Sequence, residues 1–349
     1  MTGPRIRRVA AVIAALVVIA GCGRDTGSLD PAPISTDPVV FTDAFGQGVD
    51  FQAFLNSKLD ALQTTTTTIH SGTTALEVTV PGPDDPSGWF AGGAFVANVP
   101  RDFSGYDALT FWARASKSPA VLNTAGIAND NTGTSIYEAS VNNLSLTTTW
   151  TKYIIPIPLP AKLAMEKGLF FFAEGYESDN VSYQIWFDDI VYEKTGLVSN
   201  PRPVLDPGAA SAFVGATVDI SGTSVTFDVD GTDVTVEHLP GYFSFASSND
   251  TVAQVVDGNI VVVGPGTATI TAALGNVPAS GAVTLTANPA PTTPAPVPTI
   301  PADDVISLFS DVYDDITVDS WSADWPDQAD VADFAIAGNP VKAYTNLVY

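Results

Sequence analysis

The ten residues Tyr183–Tyr192, Tyr-Gln-Ile-Trp-Phe-Asp-Asp-Ile-Val-Tyr, are apolar or aromatic at most positions, which fits a strand covered on both faces. Asp188 and Asp189 interrupt the run. Neighbouring strand residues point to opposite faces, so at least one of these carboxylates turns inward and needs hydrogen-bond donors or a cation there. The same kind of pattern precedes it at Val39–Phe41, Ala75–Pro81, Trp89–Phe95, Tyr106–Ala115, Thr148–Ile157 and Gly168–Gly175. Thr64–Thr68 reads as an exposed strand or loop, because threonine favours strands. Ser199-Asn200-Pro201-Arg202-Pro203 reads as a break. Strand patterns resume at Ala216–Ile220, Val225–Val229 and Val234–Glu237, with Asp230-Gly231 as a hairpin turn, and continue from Phe243 to Ala272. Helical periodicity is absent from the mature part, so the pattern predicts an all-β chain with one sandwich over residues 39–195 and a second over 198–287.

Asn288–Pro301 carries six prolines among Thr and Ala, and is expected to be an extended spacer. From about 303 to 349 a further β pattern begins at Val305–Tyr313 and includes Trp321 and Trp325. It is too short to close a sandwich alone, and Leu347-Val348-Tyr349 reads as a strand, so the sequence is expected to be a truncated fragment with an incomplete third β module.

The N-terminus changes the picture from cytosolic to exported. Arg5, Arg7 and Arg8 precede the uncharged run Val9–Ala20, which is short for a membrane span. Ile19-Ala20-Gly21-Cys22 resembles the lipobox of bacterial lipoproteins. That resemblance implies a signal peptide over residues 1–21, acylation of Cys22, a flexible tether over 22–38, and a protein anchored at the outer membrane or cell surface. Gly23 stands where an inner-membrane retention signal would have Asp. Cys22 is the single cysteine, so no intramolecular disulfide forms.

The formal charge is −24, from 38 acidic and 14 basic side chains. Such a surface repels phosphate backbones, which argues against nucleic acid as a partner and for a neutral polymer over an anionic one. It is equally accounted for by solubility.

The series HSGTTALEVTVP, DDPSGWFAGGAF, GYDALTFWARAS, TTTWTKYIIPIP, KGLFFFAEG and IWFDDIVYE spans nearly all of Val39–Lys194 in order. It resembles a family of galactose-binding-like jelly-roll carbohydrate-binding modules that accompany family 16 glycoside hydrolases acting on β-glucans. Phe243–Leu274, with Ser247-Ser248-Asn249 and Gly266-Thr267-Ala268-Thr269-Ile270-Thr271-Ala272, resembles a bacterial Ig-like domain of group 2. Phe245 stands where tryptophan is commoner. The resemblances imply a jelly-roll β-sandwich that binds polysaccharide, a neutral β-glucan foremost, followed by an Ig-like spacer. A structural Ca²⁺ is implied where the first and last strands meet, with Asp43 and Asp188 as ligands.

Sugar rings stack on exposed indoles and pair their hydroxyls with Asp, Asn, Glu and Arg. Trp89, between a polar loop and Gly92-Gly93, is either that platform or a loop plug. Arg114, Tyr137, Glu138 and Glu174 either line a concave face beside it or are solvated strand positions. Trp112 is expected in the core, Trp150 as a structural residue and Trp186 packed on its sheet. Chemistry finds little support. The Glu-x-Asp-x-x-Glu motif of family 16 hydrolases is missing. Glu174 and Glu177 flank a turn rather than a cleft, and His70 and His238 lie in different modules. The expectation is a non-catalytic polysaccharide-binding protein. The alternatives are the accessory region of a family 16 hydrolase whose catalytic domain is absent, and a surface adhesin.

Overall fold

Strand follows strand through the computed structural model, which describes residues 34–177, 181–290, 292–322 and 330–345; no α-helix forms among them. The expected signal peptide, Cys22 and most of the tether lie outside the described residues, as do Trp325 and Leu347–Tyr349.

The first eleven strands are β1 (Val39–Phe41), β2 (Val49–Ala53), β3 (Leu62–Thr65), β4 (Ala75–Val80), β5 (Phe90–Arg101), β6 (Ala108–Ala115), β7 (Ala120–Ile127), β8 (Ala139–Leu146), β9 (Thr151–Pro156), β10 (Glu166–Gly175) and β11 (Tyr183–Glu193). One sheet runs β3-β4-β11-β6-β9, with β1 also paired to β11; the facing sheet begins β2-β5-β10-β7-β8. Alternation fills the space between them. Phe95, Phe111, Phe170, Phe172 and Phe187 are fully buried. Their rings meet across the sheets, Phe111–Phe170 at 5.3 Å and Phe172–Phe187 at 5.2 Å, separations at which aromatic pairs add to plain burial. The run expected to be covered on both faces is β11, a central strand bonded to β4 and β6 along its two edges; its inward face is buried, and Gln184, Trp186 and Val191 on the outer face are partly exposed.

The second part carries β12 (Val198–Leu205), β13 (Gly208–Phe213), β14 (Thr217–Asp219), β15 (Thr223–Val229), β16 (Thr232–His238), β17 (Ser244–Ser247), β18 (Ala253–Val256), β19 (Asn259–Val262), β20 (Gly266–Leu274), β21 (Val277–Pro278) and β22 (Val283–Asn288). Asp230 and Gly231 both take positive φ between β15 and β16, as the hairpin signal requires. The second part is joined to the first by strand pairing. β16 pairs with β8 through Glu237↔Ser140 and His238↔Ala139, so the facing sheet continues as β8-β16-β15-β12 to eight strands. The remaining strands make a five-stranded sheet, β13-β22-β20-β17 with β21, and a three-stranded one, β14-β19-β18.

The segment expected to break the chain, Ser199–Pro203, is part of β12. Its prolines lack the N–H that a central strand must donate, and β12 sits at the end of the sheet, where that donor is dispensable.

The seam is packed like an interior. The 3-10 turn Pro240–Tyr242 drives Tyr242 to 1% exposure, with ring centroids 5.5 Å from Tyr137 and 5.2 Å from His238. A Cβ at Gly241 would collide with the Ile136 carbonyl oxygen, so the close approach of the two segments needs glycine there. One hydrophobic cluster runs through both parts, from Val40 to Ala287.

Beyond Asn288 the proline-rich segment has no regular structure, and β23 (Asp330–Ile336) pairs with β24 (Asn339–Thr345) as an isolated hairpin. The Lys342 ammonium lies over Phe309 and Trp321, 4.5 and 4.4 Å from their ring centroids.

Candidate functional site

Trp89 closes the loop Asp84–Gly88 and leads into β5. Lys58 holds that loop in place: its ammonium reaches Asp60 at 3.0 Å, Asp85 at 3.3 Å and the Ser87 hydroxyl at 2.7 Å. The Lys58 amide donates to the Phe90 carbonyl at 2.9 Å, and the Gly92 amide donates to the Ser57 hydroxyl at 3.0 Å. Trp89 is therefore mounted on a fixed frame, yet it is 43% exposed. Its ring lies 4.9 Å from that of Phe90. A cleft of about 420 Å³ opens beside it, over Leu55, Asn56, Phe90, Asn123, Ala173, Glu174 and Gly175. A second, of about 690 Å³, also reaches Trp89 and shares Leu55 and Asn56 with the first, extending over Phe54, Leu59 and Asn131. An indole face flanked by the carboxamides of Asn56, Asn123 and Asn131 offers stacking area with donors and acceptors beside it. Among the described residues, no lysine or arginine lines either cleft.

Of the other expected ligand residues, Glu174 shares the first of these clefts with Trp89, while Arg114, Tyr137 and Glu138 line neither. Glu174 shares the inward direction of Phe170 and Phe172 and is 1% exposed. It accepts the Asn123 amide at 2.5 Å and the Tyr183 hydroxyl at 3.0 Å. Burial pushes its carboxyl up to about 7. Glu177 beside it accepts the Val121 amide at 2.7 Å and pairs with Lys117 at 2.9 Å. The two carboxylates thus tie the sheets together through Tyr183 at one end of the sandwich, with Glu174 at the wall of the Trp89 cleft.

Arg114 lies on the outer face of the opposite sheet, its guanidinium 5.4 Å from the Trp186 ring centroid. Tyr137 and Glu138 sit at the seam. Tyr137 packs on Tyr242, and Glu138 accepts from Asn129 at 2.8 Å, with its carboxyl raised by burial.

Trp112 is also outside the core. Phe111 takes the inward direction, and Trp112 stacks on His70 at 3.8 Å on the outer face, with Trp150 edge-on to the same imidazole at 5.7 Å. Trp186 is packed on its sheet as expected, its indole N–H donating to Glu77 at 2.9 Å.

Asp43 and Asp188 converge on one loop, His70–Thr74, as a shared cation site requires, but what they meet is N–H. Asp188 is 1% exposed and accepts the amides of His70 at 2.9 Å, Ser71 at 3.2 Å and Asp189 at 2.9 Å. Burial raises its carboxyl and these donors counteract the rise. Asp43 accepts the amides of Thr73 at 2.5 Å and Thr74 at 3.0 Å, which hold it below the usual carboxylate range. Ca²⁺ needs six to eight oxygens. Among the described residues no group of three or more His, Cys, Asp or Glu side chains shares a point that could hold a metal. Carboxylates ringed by N–H donors do not fit that ion. A chelator is therefore expected to leave the melting temperature unchanged, and a drop of several degrees in a thermal melt would restore calcium.

The cation that does tie the first strand down is Arg101. It is 2% exposed at the end of β5. It donates to the carbonyls of Val39 at 2.7 Å, Gln47 at 2.7 Å and Asp37 at 3.0 Å, and its guanidinium lies 3.5 Å from the Asp37 carboxylate. A lone basic residue after an apolar strand was the available signal, but its partners are backbone atoms, which no motif displays.

No family model matches the chain, and no curated protein matches it. Among solved structures, a family 30 carbohydrate-binding module is 17% identical over 46% of this chain and 85% of its own, with a TM-score of 0.30. A β-1,2-glucanase from Parabacteroides distasonis is 16% identical over 74% of this chain and 40% of its own, also with a TM-score of 0.30. The family 11 carbohydrate-binding module from Clostridium thermocellum, in complex with a β-1,3-1,4-mixed-linked tetrasaccharide, is 11% identical over 46% of this chain and 97% of its own, with a TM-score of 0.31. Likeness at this level carries no argument beyond the topology already described.

Proposed function

We propose that this chain is a non-catalytic polysaccharide-binding protein that receives a neutral, β-glucan-type chain against Trp89. The carrying observation is the mount of Trp89: a 43% exposed indole that lines two adjoining clefts, on a frame fixed by Lys58 and Ser57. A stacking platform must be both open to the ligand and ordered beforehand, since ordering it on binding would cost affinity. The lack of lysine or arginine in the lining of these clefts, with a net charge of −24, favours a neutral polymer over an anionic one. The lipobox at Cys22 supports an outer-membrane or cell-surface location through a lipid anchor.

Trp89→Ala is expected to weaken retention on immobilised β-glucan by about 2 kcal/mol, roughly thirtyfold, as for an aromatic hot spot. The melting temperature should change little, because the ring is half exposed. Retention equal to that of the parent chain across soluble and insoluble glucans would overturn the reading.

A further inference from the structure

We propose that the bound polysaccharide chain does not end at the first sandwich but crosses the seam and occupies subsites on β16 and β15; this rests on the polysaccharide reading of Trp89. Three observations carry it.

The sheet beneath the Trp89 clefts is continuous with the second part of the molecule. One cross-strand row runs Gly92↔Ala173↔Thr124↔Asn142 through β5, β10, β7 and β8. Past the seam, Thr235↔Thr226↔Arg202 forms a row through β16, β15 and β12. The character of the row changes along its length. Near Trp89 it is Gly92 and Ala173, small enough to leave a trough beside an indole. From β7 onward it is carboxamide and hydroxyl as far as β15, with the Glu237 carboxylate in the neighbouring row, and it ends at Arg202, whose guanidinium is paired with Asp233.

The polar stretch is wired across the seam by side chains. Thr124 donates to the Asn142 carboxamide oxygen at 2.6 Å, and the Asn142 amide donates to Glu237 at 2.8 Å. The hydroxyls of Thr226 and Thr235 lie 2.8 Å apart. Each group keeps a further lone pair or proton for a ligand, and Glu237 and Thr235 are exposed. Alternating donors and acceptors suit the hydroxyls of a polyol.

The clefts are linked rather than scattered. The cleft at Trp89 shares Phe54 and Asn131 with the next one, which shares Glu138 and Leu239 with a cleft of about 500 Å³ at the seam. That last cleft is lined by Thr235, Glu237 and Ser224 and, among the described residues, by no lysine or arginine. Acidic and hydroxyl groups without cations repel an anionic polymer and accept a neutral one. The seam itself is core-packed through Tyr242, so the two halves of the surface hold a fixed register. From β5 to β15 is five strand spacings, about 24 Å, longer than any disaccharide.

The test is affinity against chain length, measured by calorimetry with gluco-oligosaccharides from disaccharide to polymer on the whole chain. Affinity is expected to keep rising past the length that fills the Trp89 cleft. Thr226→Ala/Thr235→Ala should lower polymer affinity about tenfold through the loss of two hydrogen-bonding groups and leave disaccharide affinity unchanged. Trp89→Ala should lower both. Thr235→Arg, which blocks the row at an exposed position, serves as the second variant and should reproduce the polymer-selective loss. An affinity that levels off at the disaccharide, or polymer binding unaffected by either variant, overturns the crossing and leaves the Trp89 site standing. Absence of binding at every length overturns both.

Discussion

Arg101→Met is expected to destabilise the folded chain by about 3–5 kcal/mol, the cost of leaving three carbonyl oxygens without their buried donor at about 1–3 kcal/mol each. The guanidinium meets three carbonyls, of Asp37, Val39 and Gln47, at 2.7–3.0 Å from a position 2% exposed. Methionine keeps an unbranched apolar stem, stops short of the guanidinium's position and leaves those oxygens without donors. Lysine does not rescue: a single ammonium on a flexible stem lacks the fixed fork that reaches all three. Val39 belongs to β1, which pairs with β11, so the loss should spread to the strand at the centre of its sheet. A fall in melting temperature on the order of 10 °C is expected for a unit of this size. A melt that matches the parent would mean that water or a relaxed backbone takes over the guanidinium's role.

Arg101 also shows where sequence reasoning stops. β11 was legible because its aromatic density is local, and the β15–β16 hairpin because Asp230-Gly231 states its own turn geometry. Strand alternation also led to the expectation that one of the two carboxylates turns inward, and there the structure differs: Phe187 takes the inward direction, so Asp188 lies opposite Trp112 on the outer face, buried beneath the His70–Thr74 loop, and the register shift after it returns Ile190 to the core. What was not legible depends on partners far along the chain. Alternation says that Phe111 and Trp112 face opposite ways, but both are apolar, so it does not say which one is inside. The seam rests on two residue pairs between β8 and β16, and the register between distant strand edges leaves no local mark. The prolines of Ser199–Pro203 gave the opposite signal, because an edge strand and a linker tolerate proline for the same reason: neither needs the missing N–H. Glu174 read as a sugar ligand from its neighbourhood in sequence. Its partners, the Asn123 amide and the Tyr183 hydroxyl, come from two other strands.

That placement gives Glu174 a measurable signature. Burial is the largest influence on its carboxyl and raises it from 4.5 to about 7; the Glu177 charge adds to the rise, while the Asn123 and Tyr183 hydrogen bonds and Lys117 oppose it. A carboxyl raised in the folded state binds its proton more tightly there than in the unfolded chain. Its contribution is fully present below the unfolded value near 4.5 and is lost as pH rises through about 7. The gap corresponds to roughly 3 kcal/mol. Glu174→Gln keeps the shape and stays neutral at every pH. Its carboxamide oxygen can accept the Asn123 amide, and its NH₂ can donate to the Tyr183 oxygen, whose own proton has the Val121 carbonyl 3.3 Å away. The variant should match the parent near pH 4.5 and exceed it by roughly 3 kcal/mol near pH 8. His238 titrates in the opposite sense: burial lowers it, so its contribution is present above the unfolded value and lost as pH falls below about 6.5. Both chains carry His238, so it cancels when their melts are subtracted at each pH. A difference between variant and parent that is the same at pH 4.5 and pH 8 would show that Glu174 is ionised in the folded chain across that range. The burial between the sheets would then not be what sets its proton affinity.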